Sequence, residues 1–511
     1  MLLLKRYNEL SILFFYFLLS ISPYNIYGFS GSGAGTPIDP FEITTCTQLQ
    51  EMNNNLSASY ELVNPINCSG FDYGDGFGFK PIGNCTGSCF SNDDENVFNG
   101  TLEGNNHYIS DIFINRSSLD AVGIIAYLED SMVQNLNIEN MLIYGDQYIG
   151  SLAGISYYSS ISNLYVSNIT INGTTDIGGL VGVFGTGNLD NSQTSEINIR
   201  GTQYLGAAVG FSGWQGNIYS LNSQGTISGT SDIGGLIGYL GDGNLTNSYS
   251  EINISASSNN IGGLIGYSYQ ALISNSYSTS IINSTTFSPD RIGGLIGYAE
   301  LSTLDKVSSN VIINSTGDFL GGLIGYSLTS TISNSYAIGE IFSGFPNYIS
   351  GGLVGNFESS ALSNSYSNVN VSGDDRVGGL VGYSSSSVIS NSYALGDMDC
   401  DCSANLQGGL IGIIYSTTIN NSFWYNSSEN SNRSIGQGSG DITPIITLSY
   451  FFDYSNPPFD SWDSSIWDFS GNTPTLILNP SSLVSSTNVA SLFPFGYLAF
   501  SLIVLLSFFV I

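Results

Sequence analysis

Few side chains here could carry out catalysis, and the scarcest is histidine: His107 is the only one in 511 residues. One imidazole rules out the two-histidine zinc site of a His-Glu-x-x-His peptidase and any metal centre built from several histidines. A Ser-His-Asp triad would have to use His107, which follows turn residues in a divergent part of the sequence. Carboxylates are plentiful instead. Candidates for paired acid and base work on glycosidic bonds are Asp93 with Asp94, Asp374 with Asp375, and the trio Asp397, Asp399 and Asp401. The trio alternates at period two, so in a strand all three share one face with Cys400 and Cys402 on the other, an oxygen-ligand cluster suited to calcium. A lyase also needs a strong base; Arg376 follows Asp375, but none lies beside the trio. The glycines are not followed by Gly-Lys-Ser/Thr, so they cradle no phosphate. The expectation is no catalysis and no cofactor except calcium at the trio, with a polysaccharide-cleaving enzyme using its carboxylate pairs as the alternative.

What positions these residues is a repeat. An apolar block of the type Ile-Gly-Gly-Leu-Ile-Gly-Tyr recurs ten times, with its first glycine at 150, 178, 206, 234, 262, 293, 321, 351, 378 and 408. A second block, Ile-Ser-Asn-Ser-Tyr, follows, and its asparagine falls thirteen residues after that glycine at Asn163, Asn191, Asn247, Asn275, Asn334, Asn364, Asn391 and Asn421, with Tyr219 and Lys306 breaking the row. Length varies only between one asparagine and the next glycine pair. A fixed strand-turn-strand unit with one adjustable connection is the signature of a stacked solenoid. Each repeat reads as three β-segments, for example Ile261 to Tyr267, Leu272 to Tyr277 and Ser280 to Asn283. The predicted fold is therefore all-β: a right-handed parallel β-helix of about 10–11 coils. Leucine-rich repeats share the period but need a Leu-x-x-Leu-x-Leu spacing that is missing. Stacked coils imply an amide ladder of the asparagines and an aromatic ladder of Tyr249, Tyr277, Tyr336, Tyr366 and Tyr393, read as structural rungs rather than sugar binders. Leu236 and Ile237 would face opposite sides of a regular strand, which calls for a glycine bulge or a second covered apolar face. Ala207-Ala208 breaks the block and predicts local distortion.

The remainder reads as processing signals and caps. Residues 1–30 carry Lys5 and Arg6, an apolar stretch from Leu10 to Ile21 and the small-residue site Gly28-Phe29-Ser30, an export signal. Residues 31–100 form a cap with a short helix around Gln48 to Asn55 and disulfide candidates Cys46, Cys68, Cys85 and Cys89, whose three pairings the sequence leaves open. Repeats fill 101–423. Residues 424–478 gather Trp424, Trp462 and Trp467 with several phenylalanines to plug the last coil, and 479–491 make a short stalk. The apolar tail 492–511 has no basic stop, and small residues precede it, which fits a lipid anchor attached at Ser485, Ser486 or Asn488 better than a retained helix. Of the Asn-x-Ser/Thr sequons, Asn168, Asn172, Asn253, Asn283, Asn314 and Asn370 fall in the variable connection and are the expected glycan sites. A net charge of −31 excludes nucleic acid as a partner.

Ile233-Gly234-Gly235-Leu236-Ile237-Gly238-Tyr239 followed by Asn247-Ser248-Tyr249 resembles the GLUG-motif repeats of surface proteins, and Phe98 to Ile109 is similar to the segment that opens such arrays. The resemblance covers about 45–475 and implies an adhesin-like β-solenoid. The expected protein is a glycoprotein on the extracellular side of the plasma membrane. Its membrane contact is a C-terminal lipid anchor or helix, and its role is adhesion, coat structure or binding of an extracellular protein or glycan.

Overall fold

The computed structural model describes residues 28–84, 89, 96–284, 291–344, 349–373, 375–400, 406–425, 433–438, 450, 453, 455–457, 459–471 and 473–477. The export signal up to residue 27, the stalk, the anchor residues Ser485, Ser486 and Asn488, and Cys85, Asp93, Asp94, Asp374 and Asp401 lie outside them.

The repeats wind into a parallel β-solenoid with three sheets. In the coil from Ile261, Ile261–Gly262 belongs to sheet I, Ile265–Tyr269 to sheet II, and Leu272–Ser274 with Tyr277–Ser284 to sheet III. Among the described residues sheet I stacks ten strands, sheet II twelve and sheet III 25 strand segments, while Trp467–Asp468 and Thr475–Leu476 form a separate antiparallel pair. Each column keeps its residue type, as in Ile237, Ile265, Ile296 and Ile324. Ile261, Leu264, Ile265, Ile273 and Ile282 of one coil are all buried in a single core that runs through every coil.

The expected strand Ile261 to Tyr267 is broken at Gly263–Leu264, which resolves the apolar puzzle. The chain turns from sheet I to sheet II at this point, so Leu236 and Ile237 both enter the core; a separate apolar cluster lies on the outer side of sheet II nearer its start, where Tyr127, Ile155 and Val183 are buried. The glycines are required by close approach. Neither Gly262 nor Gly263 has a positive φ, yet a Cβ on Gly262 would collide with the Ile265 carbonyl and one on Gly263 with the Gly294 carbonyl of the next coil. Ala207 is nevertheless accommodated: Val209 pairs with Val181 and Ile237 in the ordinary register, so the predicted distortion is absent at this block.

The asparagine row marks a corner inside sheet III where the backbone is left-handed, with φ of 53° at Asn247 and 47° at Asn275. Asparagine tolerates that region better than other side chains, which explains the row more directly than amide stacking does. Amide bonds do link parts of it: Asn163 Nδ2 donates to Asn135 Oδ1 at 3.0 Å, and Asn364 Nδ2 to Asn334 Oδ1 at 3.2 Å. Lys306 keeps the corner with φ 55°. Tyr219 is not in the row at all. One extra residue after Ser212 shifts that coil, Tyr219 pairs with Asp190, and Ser220 takes the corner with φ 51°. A register shift between Thr194 and Ile197, opposite Gly225, cancels the offset, so the coil still measures 28 residues.

The serine that follows every asparagine of the row except Asn163 is buried, and these serines form a ladder of their own. Ser365 Oγ donates to the Ser363 carbonyl at 2.7 Å and accepts from the Ser335 amide at 3.2 Å, and the Ser365 amide donates to Ser392 Oγ at 3.2 Å. Ser302, Ser330, Ser360 and Ser387 repeat the device at the corner between sheets II and III. The variable length falls after sheet III: residues 257–260 in one coil correspond to 285–291 in the next.

Both ends differ in detail from the expected plugs. Phe41–Ile43, Ser59–Leu62 and Thr101–Glu103 already pair in parallel within sheet III, so the first segment continues the solenoid. Its helix spans Cys46–Glu51, capped by Thr45 Oγ1, and a 3₁₀ turn follows at Met52–Asn54. Cys46 bonds to Cys68, and Cys89 is also disulfide-bonded. Phe29, placed by sequence inside the export signal, rests on Phe41 at 4.7 Å. At the other end Trp424 lies in the core with Ile414 and Ile435. Phe459, Trp462 and Trp467 instead lie on the flank of sheet III, over Tyr336, Tyr366 and Tyr393.

Candidate functional site: an aromatic face and a corner groove

The outer face of sheet II is aromatic because each Ile-Gly-Tyr triplet points its isoleucine into the core and leaves its tyrosine outside. Register then superimposes Phe211, Tyr239, Tyr267, Tyr298 and Tyr326. Phe211 and Tyr239 stack at 4.6 Å and Tyr267 and Tyr298 at 4.8 Å, while Tyr239 meets Tyr267 edge-on at 5.2 Å and Tyr298 meets Tyr326 at 5.1 Å. Trp214 extends the run, lying 5.6 Å from Phe211 and 5.5 Å from Tyr157, which reaches Tyr127 at 6.1 Å. Gly185 leaves the space that Tyr157 fills; a Cβ there would strike the ring.

A polar column borders the rings. Asp232 accepts from Gln203 Nε2 at 2.9 Å and from Asn260 Nδ2 at 2.7 Å, and Asn260 Oδ1 accepts from Arg291 at 3.1 Å. The Arg291 guanidinium covers Tyr298 at 4.5 Å and Tyr326 at 5.3 Å. Burial pushes the Tyr239 and Tyr326 phenols up to about 12, so they remain neutral hydrogen-bond donors. Tyr267 shares this direction, again chiefly through burial, and donates to Glu300 at 2.5 Å. Asp176 is raised to about 6 by burial, against a hydrogen bond from Thr175 at 2.8 Å that lowers it.

At one end of this face, on the corner between sheets II and III, lies a groove of about 520 Å³ whose lining includes Asn99, Thr101, Asp130, Tyr158, Ser160 and Asn188. Thr186, also in the lining, donates to the Trp214 carbonyl at 2.6 Å, which ties the backbone of the adjacent coil to the rim. Tyr158 is 60% exposed and Trp214 52% exposed. Tyr158, Trp214 and Gln215 hold φ of 50°, 56° and 65°, an uncommon conformation for side chains of this size.

The predicted tyrosine ladder exists in two pieces. Tyr249 stacks on Tyr277 at 5.1 Å, and Tyr336, Tyr366 and Tyr393 stack at 4.9 and 5.1 Å, with Ser308 interrupting them. The second piece is covered by Trp462 and Trp467, a structural use. Sequence analysis missed the sheet II run, although tyrosine five residues after the first glycine signalled it. The sequon asparagines lie on strands of sheet III rather than in its connections. Asn168 donates to Asn140 at 2.7 Å and Asn314 to Asn283 at 2.9 Å, while Asn172, Asn253 and Asn370 sit on the same outward-facing surface. Asp397 and Asp399 flank the buried Met398, and their partner Asp401 is outside the described residues. Asp375 pairs with Arg376 at 3.5 Å. His107 sits in the turn before Tyr108–Ser110.

The GLUG motif matches residues 145–172 and 257–283, and the coils between these two segments continue their register. Halomucin of Haloquadratum walsbyi is 36% identical over 132 residues, 24% of this chain but 1% of halomucin. A protein of Evansella cellulosilytica described as a Gly-rich membrane protein is 29% identical over 168 residues, 30% of this chain and 18% of that protein. The chain thus spans a small part of both relatives. Among solved structures, an IgA1 protease shares 17% identity at a TM-score of 0.37, covering 57% of this chain and 21% of the protease. A Bacteroides ovatus protein assigned as an immunoglobulin A1 protease shares 17% at 0.23, covering 87% and 94%. At these scores neither likeness bears on function. No helix among the described residues is long and apolar enough to cross a membrane.

Proposed function

We propose that this is a surface glycoprotein whose rigid solenoid binds an extracellular ligand, protein or glycan, in an adhesive role. It would be exported by the signal at 1–30, lipid-anchored near Ser485, Ser486 or Asn488, and glycosylated on the outward asparagines of sheet III. The observation that supports this reading is the run of rings from Trp214 and Phe211 to Tyr326 on one outer face of a rod whose interior is closed by its own side chains. A tightly packed interior leaves recognition to the surface, and large aromatic side chains supply contact area at low entropic cost. The names of the relatives agree with a surface setting. To test it, residues 28–478 are displayed on beads and offered to cells, matrix proteins and glycans. Capture that falls when Tyr239, Tyr267 and Tyr298 are changed together to serine supports adhesion through this face. Absence of capture on every surface refutes it.

A further inference from the structure

We infer that the corner groove beside Trp214 is a saccharide site that takes an uncharged sugar of an external glycan. The inference rests on the ligand-binding reading above and names the ligand class.

Two kinds of group, aromatic and polar, stand there. Tyr158 lines the groove, and Trp214 stands beside it on the adjacent coil, outside the lining. Tyr158 and Trp214 are exposed aromatics carried on left-handed backbone, and Tyr157 links their rings at 6.3 and 5.5 Å. Aromatic rings combine an apolar surface with a polar edge, which matches a sugar ring with its apolar C–H face and hydroxyl rim. The groove walls add amides at Asn99 and Asn188, hydroxyls at Thr101 and Ser160, and one carboxylate at Asp130. These are short donors and acceptors spaced around a trough of about 520 Å³, the size of a small-ligand site. No lysine or arginine lines it, on a chain of net charge −31, so a uronic or sialic acid would meet only repulsion. A neutral sugar can donate its hydroxyls to Asp130 and accept from the two amides.

The backbone supports the assignment independently. Phe184 and Gly187 are separated by two residues, but the paired Ser212 and Gly216 by three, so this corner alone gains the residue that brings Trp214 and Gln215 into positive φ. The later register shift at Gly225 restores the stack. The same corner is left-handed in most coils, at Asp130, Asp242, Gln270 and Leu301 among others, so what sets this one apart is the added residue and the two successive left-handed residues it carries, one of them an exposed tryptophan. The long aromatic run of sheet II differs: its parallel pairs turn ring faces toward each other, leaving edges for solvent.

The test uses residues 28–478 made in a host that adds no N-glycans, because Asn99 is itself in a sequon and its own glycan could fill the groove. Neutral and acidic oligosaccharide panels are titrated by calorimetry, with tryptophan fluorescence as a second readout. The expected result is binding of neutral oligosaccharides with a fluorescence change, weakened at least tenfold by Trp214→Ala and by Tyr158→Ala, and unchanged by Tyr415→Ala, an exposed aromatic near the far end. Circular dichroism and urea midpoints confirm that each variant folds, and Asp130→Asn supplies a side-chain test that leaves the corner backbone intact. Failure to bind any neutral sugar, preference for acidic ones, or equal binding by folded Trp214→Ala overturns the inference. Bead capture that persists through such a failure leaves the adhesive reading standing.

Discussion

Replacing Ser365 with alanine tests whether the buried hydroxyl ladder holds the coils together. Its Oγ accepts the Ser335 amide at 3.2 Å and donates to the Ser363 carbonyl at 2.7 Å. The two losses are unequal. The Ser363 carbonyl still receives the Asn334 amide at 3.1 Å, so it keeps a partner. The Ser335 amide loses its only acceptor in the buried corner, and an orphaned buried N–H costs roughly 1–3 kcal/mol. Alanine fits the space, so no cavity term of consequence is added, and the expected destabilisation is about 2 kcal/mol. Urea unfolding followed by circular dichroism should show a lower midpoint with little change in slope. Hydrogen exchange adds a local readout, because opening at the Ser335 amide should quicken about thirtyfold, 1.4 kcal/mol being a factor of ten. The half-buried, outward Ser363→Ala is the control and should stay within about 0.5 kcal/mol of wild type. A Ser365→Ala variant that loses less than that, or no more than Ser363→Ala, refutes the ladder as a source of stability.

Two further outcomes follow from burial. Asp176 has its folded pKa raised from 3.8 to about 6, so it binds its proton more tightly folded than unfolded, and its contribution to stability is present at low pH and lost as pH rises through that window. Asp176→Asn should therefore be more stable than wild type above about pH 6, by at most ~3 kcal/mol, with the difference vanishing below pH 4. Melting curves that differ equally at pH 3.5 and pH 7.5 would contradict this. Trp467→Ala removes a buried indole from the flank of sheet III, where it lies 5.8 Å from Tyr393. The loss should be on the order of 3–5 kcal/mol, confined to the attached segment. Limited proteolysis should then cut within 459–477 while the sheets resist; simultaneous loss of the whole rod would show that the segment is part of the cooperative unit.

The period, the parallel register, the core columns and the asparagine corner were legible in the sequence because each is a local choice repeated every coil. Asparagine at a left-handed position marks eight of the ten repeats, and an apolar residue on the inner face marks all of them. Single events were not legible. The extra residue at Trp214 and the compensating shift at Gly225 cancel within one 28-residue spacing, so Tyr219 took the place of Ser220 in the count. The bend at Gly235–Leu236 was hidden because those glycines answer to the backbone of the next coil rather than to φ. Phe459, Trp462 and Trp467 were recognised as an apolar cover, but where they lie depends on Tyr336, Tyr366 and Tyr393 forming an unbroken stack to receive them.

The corners explain how such a rod can vary without unravelling. At Lys306 the row loses its amide but keeps its backbone, and Asp305 one residue earlier supplies the missing acceptor: Asn334 Nδ2 donates to it at 2.6 Å and Ser333 Oγ at 2.8 Å. The first glycine of the turn has no such latitude, since a Cβ at Gly262 meets the Ile265 carbonyl, whereas the second position carries Ser151 and Ala207 in two coils. Substitutions that leave φ unchanged are thus absorbed at the outer corners, and those that widen the stack are not. In this rod one outward corner carries an added residue at Trp214 while the register is restored within the coil, so a single corner changes without disturbing the stack.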